Sequence, residues 1–309
     1  MAINFSDALV IGVSTRALFD LEEENKVFDE QGIEGFRAYQ LEREDEPLLP
    51  GTAYHLVNSL LQLNKIAKKR IVEVVVMSRN SPETGMRVLN TIEKEELDIT
   101  RVAFTGGEPL APYIDAFAID LFLSKDSSDV QKIIDAGNCA AALLYDAPKS
   151  FKSLDDRVKI AFDADAVLFA DDSEYRYKTE GIEAFHNYEK DHEDEALKEG
   201  PFAKLLIKLS NIQKELPMRQ ELSPIRLAIV TARNAPSHKR VIKTLRKWDV
   251  YVDEVYFLGG IAKDKILQAF GAQIFFDDQD VHLGKSSLWV PSGKVPYATN
   301  SIMNTLENK

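Results

Sequence analysis

The chain has 309 residues, 45% of them apolar and 28% charged, with a formal net charge of −12; this is a globular composition with room for two domains. The acidic balance excludes non-specific nucleic-acid binding, which needs basic surface, yet admits a small anionic substrate if a metal, a lysine or a helix N-terminus compensates locally. No apolar run approaches the ~18 residues of a membrane helix, residues 1–7 lack the basic and apolar parts of a signal peptide, and a single cysteine excludes an internal disulfide framework, so a cytoplasmic protein without a membrane partner is expected.

In chain order, Val13-Ser14-Thr15-Arg16-Ala17-Leu18-Phe19 precedes a charged, helix-prone excursion over 22–69. Ser78-Arg79-Asn80-Ser81-Pro82 and Phe104-Thr105-Gly106-Gly107 follow, then an apolar run around Cys139 that predicts a buried strand with a core thiol. A domain boundary is predicted near 148–156. Beyond it, 157–162 and 225–230 read as strands. Residues 236–247 read as a helix opened by Asn234-Ala235-Pro236, with Val241, Ile242 and Leu245 at helical spacing. Residues 252–258 form another predicted strand, 263–270 a helix, and 273–276 a strand ending at Asp277-Asp278. A second excursion, 171–222, is long enough to need structure of its own and to cover a site. On it Ile182, Phe185 and Tyr188 are expected to share a helix face that packs into the core, with a lining for a substrate base as the alternative.

The halves repeat each other. Gly32-Ile33-Glu34-Gly35-Phe36 recurs as Gly181-Ile182-Glu183-Ala184-Phe185, an offset of 149 residues. Ser78-Arg79-Asn80-Ser81-Pro82 lies on Ala232-Arg233-Asn234-Ala235-Pro236 at an offset of 154, and the Gly106-Gly107 and Gly259-Gly260 pairs match at 153. The pattern predicts an α/β protein of two pseudo-repeated Rossmann-like domains, 1–152 and 153–309. Each is expected to have a parallel sheet and a helical cap-like insertion after its first strand.

In the second half, polar residues follow the predicted strands, and strand ends of a parallel sheet share one edge. Asp163 and Asp165 sit one residue apart in Phe162-Asp163-Ala164-Asp165-Ala166-Val167-Leu168-Phe169. A carboxylate can attack phosphorus, and a second can protonate the leaving group and then activate water. Thr231 can bind a phosphoryl oxygen, with Ala232, Arg233 and Asn234 beside it, and Lys263 can neutralise developing charge, Lys265 being a close competitor. Asp277 and Asp278, with Asp163 and Asp165, make an oxygen-donor set for Mg²⁺. Each feature alone has a bland reading as a turn or a solvated residue; their order makes a shared phosphoryl-transfer site the stronger one. Gly284-Lys285-Ser286 lacks the first glycine of a P-loop, and the five histidines show no metal-ligand spacing.

These motifs resemble those of the haloacid dehalogenase-like phosphohydrolases. More narrowly, Asp163-Ala164-Asp165, Thr231-Ala232-Arg233-Asn234-Ala235-Pro236, Phe257-Leu258-Gly259-Gly260 and Phe275-Phe276-Asp277-Asp278-Gln279 resemble the cytosolic type I 5′-nucleotidase family, as do Val13–Asp20 and Phe122-Leu123-Ser124-Lys125. That resemblance implies Mg²⁺-dependent hydrolysis of nucleoside 5′-monophosphates, AMP prominent among them, with a nucleoside diphosphate as an implied effector. Alternatives are a phosphatase of another small ester and a non-catalytic nucleotide sensor. Base preference and oligomeric state, a homo-oligomer included, stay open.

Across the repeat, Ser14 and Arg16 stand for Asp163 and Asp165, Met77 for Thr231, Leu110 for Lys263, and Ser124 and Lys125 for Asp277 and Asp278. The first half is therefore expected to hydrolyse nothing by this route. It reads as scaffold or, alternatively, as a metal-free anion pocket of Ser14, Arg16, Arg79, Asn80 and Lys125 that takes an effector or part of the substrate.

Overall fold

A computed structural model describes residues 8–153 and 155–307. Residues 1–7, read above for a signal peptide, lie outside the described residues, as does Leu154 within the predicted boundary. The first half runs β1 (Leu9–Ser14), α1 (Thr15–Leu18), β2 (Phe19–Asp20), α2 (Glu22–Glu42), β3 (Leu49–Pro50), α3 (Tyr54–Ala67), β4 (Val72–Ser78), α4 (Met86–Lys94), β5 (Arg101–Phe104), β6 (Leu121–Ser124), α5 (Ser127–Ala136) and β7 (Ala140–Leu144). The second runs β8 (Val158–Phe162), α6 (Asp172–Asp191), α7 (Ala203–Glu215), β9 (Ile225–Thr231), α8 (His238–Lys247), β10 (Glu254–Phe257), α9 (Asp264–Phe270), β11 (Ile274–Asp277), α10 (Asp280–Ser286), β12 (Ser292–Lys294) and α11 (Met303–Glu307).

Among the described residues, ten strands form one sheet in the order β10-β9-β8-β11-β12-β7-β6-β1-β4-β5. Its pairings are parallel except β12 with β7. The sequence predicts a parallel sheet in each half; the structure joins the strands of both at one antiparallel seam. Small residues allow the join, since a Cβ on Gly293 would lie 3.0 Å from Leu144 Cδ2 and 3.1 Å from Ala142 Cβ. Pairing β7 with β12 also removes two exposed edges. From the seam outward each half has one order: β7-β6-β1-β4-β5 and β12-β11-β8-β9-β10.

Apolar runs buried along their whole length, such as β1, β4 and β8, mark central strands covered on both faces. Helices α3 and α7 supply that cover through Leu56 and Leu60 and through Leu205, Leu206 and Leu209. The predicted excursions therefore divide: their later helices pack on the sheet, and α2 and α6 reach the strand ends. Both of these are kinked at a glycine with positive φ, Gly32 (φ 68°) and Gly181 (φ 84°), where a side chain would be strained. The kink also corrects the expected shared face. The helix restarts just before Ile182, leaving it 52% exposed, while Phe185 is buried. Cys139 is buried ahead of β7, and burial pushes its thiol well above the ordinary range, as suits a core residue rather than a nucleophile.

Candidate active site

Phe162 and Phe276 end the apolar parts of β8 and β11, stack with ring centroids 5.8 Å apart, and pack with Phe202. This clamp fixes the next residue of each strand, Asp163 and Asp277, and the Asp163 amide donates to the Phe276 carbonyl at 2.8 Å. Lys263, just before α9, is buried between them, its Nζ 2.8 Å from Asp163 Oδ1 and 2.7 Å from Asp277 Oδ2. Its competitor Lys265 is exposed. Asp277 Oδ1 accepts from the Gln279 amide at 2.8 Å, and His282 Nδ1 lies 3.2 Å from Oδ2. Asp278 accepts from the Tyr297 hydroxyl, while its Oδ1 is buried without a hydrogen-bond partner. Thr231 is buried at the end of β9, its hydroxyl accepting from the Arg233 amide at 3.1 Å.

Asp165 is placed differently from expectation. Counted with the metal ligands on sequence, its carboxylate instead sits in the fork of Arg233, accepting from Nε at 2.7 Å and Nη2 at 2.6 Å. Arg233 is itself held by Glu189 of α6, Nη1 to Oε2 at 2.5 Å, and Arg240 donates to the other Glu189 oxygen at 3.1 Å. A guanidinium buried this deeply needs paired carboxylates, and Asp165 is one of the two. Arg233 is thus turned to Asp165 and Glu189, whereas Ala232 and Asn234 are exposed, Asn234 touching His186 at 3.1 Å.

Burial pushes the Asp163 carboxyl up to about 7, against the pull of Lys263. Burial and the neighbouring Glu174, Asp277 and Asp163 raise Asp278 well above its ordinary value. Asp277 goes the other way: against burial, Lys263 and His282 hold it low. Oxygens of Asp163, Asp277 and Asp278 all lie within 4.8 Å of one another. With the unpartnered Asp278 Oδ1, they form a donor set suited to a hard divalent cation.

A 5′-nucleotidase family profile matches residues 1–302. The chain belongs to the 5′-nucleotidase family. Cytosolic 5′-nucleotidase 1B of Homo sapiens is 35% identical over 286 residues, covering 90% of this chain. The chain spans about half the length of that relative, 47%. Histidinol dehydrogenase from Elizabethkingia anophelis overlays 81% of this chain and 52% of its own at 8% identity, with a TM-score of 0.23, too low to describe the fold.

The sequence did not single out Glu174, Glu189, His282 and Tyr297 in this 5′-nucleotidase family site. Glu174 accepts from Gln279 at 2.9 Å and pairs with Lys178 at 3.0 Å. A signal for the two glutamates was present: at the 149 offset they stand where the first half has Asn25 and Gln40.

In the first half, Ser14, Arg16, Arg79, Asn80 and Lys125 line one cavity of about 500 Å³. One assignment needs correction. The residue placed like Thr231 is Ser78, not Met77. Ser78 Oγ accepts from the amide two residues on at 3.1 Å, and its carbonyl accepts from Thr105 at 2.9 Å; the Thr231 carbonyl likewise accepts from Leu258 at 2.9 Å. These bonds set Asn80 opposite Arg233, so matching Arg79 to Arg233 departs by one residue from the register of the strand. Ser124 does match Asp277, its hydroxyl accepting from the Asp126 amide at 3.0 Å.

Proposed function

We propose that the second half of this chain hydrolyses nucleoside 5′-monophosphates, AMP-like substrates foremost, through an aspartyl-phosphate at Asp163. The observation that carries this reading is the buried Asp163–Lys263–Asp277 chain of ion pairs beside a third carboxylate, Asp278, with one oxygen unpartnered. Family membership and the 35% identity to a cytosolic 5′-nucleotidase support the substrate class and a cytosolic setting. Asp163 and Asp277–Asp278 would hold Mg²⁺, which would neutralise phosphate charge.

Lys263 opposes the effect of burial and favours the ionised form of Asp163. An Asp163 oxygen attacks phosphorus as the ester P–O bond breaks, and Asp165 gives its proton to the leaving 5′-oxygen. Asp165 then takes a proton from water, whose oxygen displaces Asp163 and releases phosphate. Donation requires the Asp165 carboxyl to leave the Arg233 fork; Glu189 remains to pair Arg233 while it does. Thr231 offers its hydroxyl to a phosphoryl oxygen.

The same reading takes the chain as a duplication, 1–152 and 153–309, with α2 and α6 as caps. The common strand order, the paired glycine kinks and the near-constant offset support it. A substrate panel tests the function. With Mg²⁺, kcat/KM for AMP should exceed that for ribose 5-phosphate by about tenfold or more. Equal values would move the reading to a general phosphatase, and no turnover would remove it.

A further inference from the structure

The first half holds a cavity of about 500 Å³, within the ~300–1,000 Å³ of small-molecule sites. It opens at the C-terminal ends of β1, β4 and β6, the edge where open α/β sheets take ligands. We propose that this cavity binds a nucleoside phosphate without a metal ion and without hydrolysing it.

The polar end fits a phosphate. Ser14, Ser124 and Lys125 stand where the second half has Asp163, Asp277 and Asp278: two hydroxyls and an ammonium replace three carboxylates. The positive charge that the acid cluster would borrow from a cation is covalently present. Two donors of the lining, Arg16 Nε and Asn80 Nδ2, are buried atoms with no acceptor. Lys125 pairs with Glu22 at 2.8 Å and Asp146 at 2.6 Å, and Arg16 with Glu22 at 3.2 Å. Those acids are 44% and 87% exposed, so water can solvate them when a phosphate takes their place on Lys125 and Arg16. Arg79 stays tied to the buried Asp129 at 2.6 Å. Ser14 in place of Asp163, Arg16 in place of Asp165 and Leu110 in place of Lys263 remove the residues through which the second half is read to hydrolyse its ester, so that route is closed and the ligand is kept intact.

The other end fits a flat ring. Phe28 and Phe36 meet edge to face at 5.9 Å on either side of the Gly32 kink. Their counterparts Tyr177 and Phe185 meet in the same way at 6.2 Å across the Gly181 kink. Phe28 and Ile33 line the cavity yet remain 48% and 70% exposed; a bound base would cover them. The halves thus share an aromatic pair and differ in their acids. The inference uses the second-half reading for comparison only, and binding is measured apart from hydrolysis.

The test is calorimetric titration of AMP into the full chain in EDTA. One saturable site is expected, retained in Asp163→Asn. Affinity should fall about tenfold or more in Arg16→Ala/Lys125→Ala, and severalfold in Phe28→Ala, whose half-exposed side chain can go without harming the fold. Adenosine and ribose 5-phosphate should each bind about tenfold more weakly than AMP. No binding in EDTA overturns the proposal. So does binding lost in Asp163→Asn but kept in Arg16→Ala/Lys125→Ala, which would place it in the second half. Competition by inorganic phosphate equal to that by AMP also overturns it, leaving an unspecific anion site. Mg²⁺-dependent hydrolysis, assayed separately, decides the function of the second half whichever way the titration falls.

Discussion

The strand ends of the two halves are built on one plan and filled with opposite chemistry. In the second half Asp163 follows β8 and Asp277 ends β11, both buried and tied by Lys263; in the first, β1 and β6 end in Ser14 and Ser124, with Lys125 next. The backbone bonds around these positions are alike: Ser78 and Thr231 each cap the amide two residues on, and so do Ser124 and Asp277. The arginine neighbours change with the acids. Arg79 turns to Asp129, whereas Arg233 turns to Asp165 and Glu189. Burying a carboxylate demands a partner, so a change at the strand tips brings others in the surrounding shell. The fold sets where the side chains meet, and the side chains set what can happen there.

Removing Asp163, the proposed nucleophile, should produce the largest effect. Asp163→Asn is expected to cut kcat by about 10⁴-fold or more, with the fold kept because the amide bond to Phe276 is untouched. Adding Ser14→Asp to that variant should restore nothing, since the first half has Leu110 where the second has Lys263. Recovered turnover would show that one acid suffices and would break the contrast between the halves. Next comes the lysine. Lys263→Ala should lower kcat by about 10²–10³-fold, and should destabilise the chain by leaving Asp163 and Asp277 buried without their cation. Lys265→Ala, at an exposed position, should leave kcat and melting temperature as they are. Circular dichroism alongside the rate assay separates lost chemistry from lost fold.

Much of the site was legible because its residues follow apolar runs. Asp163, Thr231, Lys263, Asp277 and Asp278 each close or succeed a stretch whose strand or helix character is local, and a parallel sheet gathers such ends on one edge. Three things were not local. The pull of Arg233 on Asp165 depends on Glu189, which reaches the site from a kinked helix in the excursion. The seam between β7 and β12 depends on pairing two distant strands through small residues. The match of Ser78 rather than Met77 to Thr231 depends on hydrogen bonds, whose register is one residue away from that of the repeated Arg-Asn-x-Pro pattern.

The smallest effect is a pH dependence of stability without metal. Asp163 has its carboxyl raised from 3.8 to about 7 in the folded chain, and Asp278 is raised as well. Between the unfolded and folded values the native state binds protons that the unfolded chain does not, so stability falls as pH rises. Asp277 is shifted down; its contribution is complete above the unfolded value and flat near neutrality. His55 is lowered by burial, and it opposes the trend only below its ordinary 6.5. In EDTA the melting temperature should therefore fall by a few degrees between about pH 5 and 7, with the share of Asp163 levelling off above that. A divalent cation should flatten the slope by favouring the ionised carboxylates. Asp163→Asn should flatten it in EDTA, because the asparagine has no proton to lose. The first half offers no counterpart, since Ser14 and Ser124 do not titrate. A slope that survives Asp163→Asn unchanged would mean that Asp163 is not what sets the metal-free chain's response to pH.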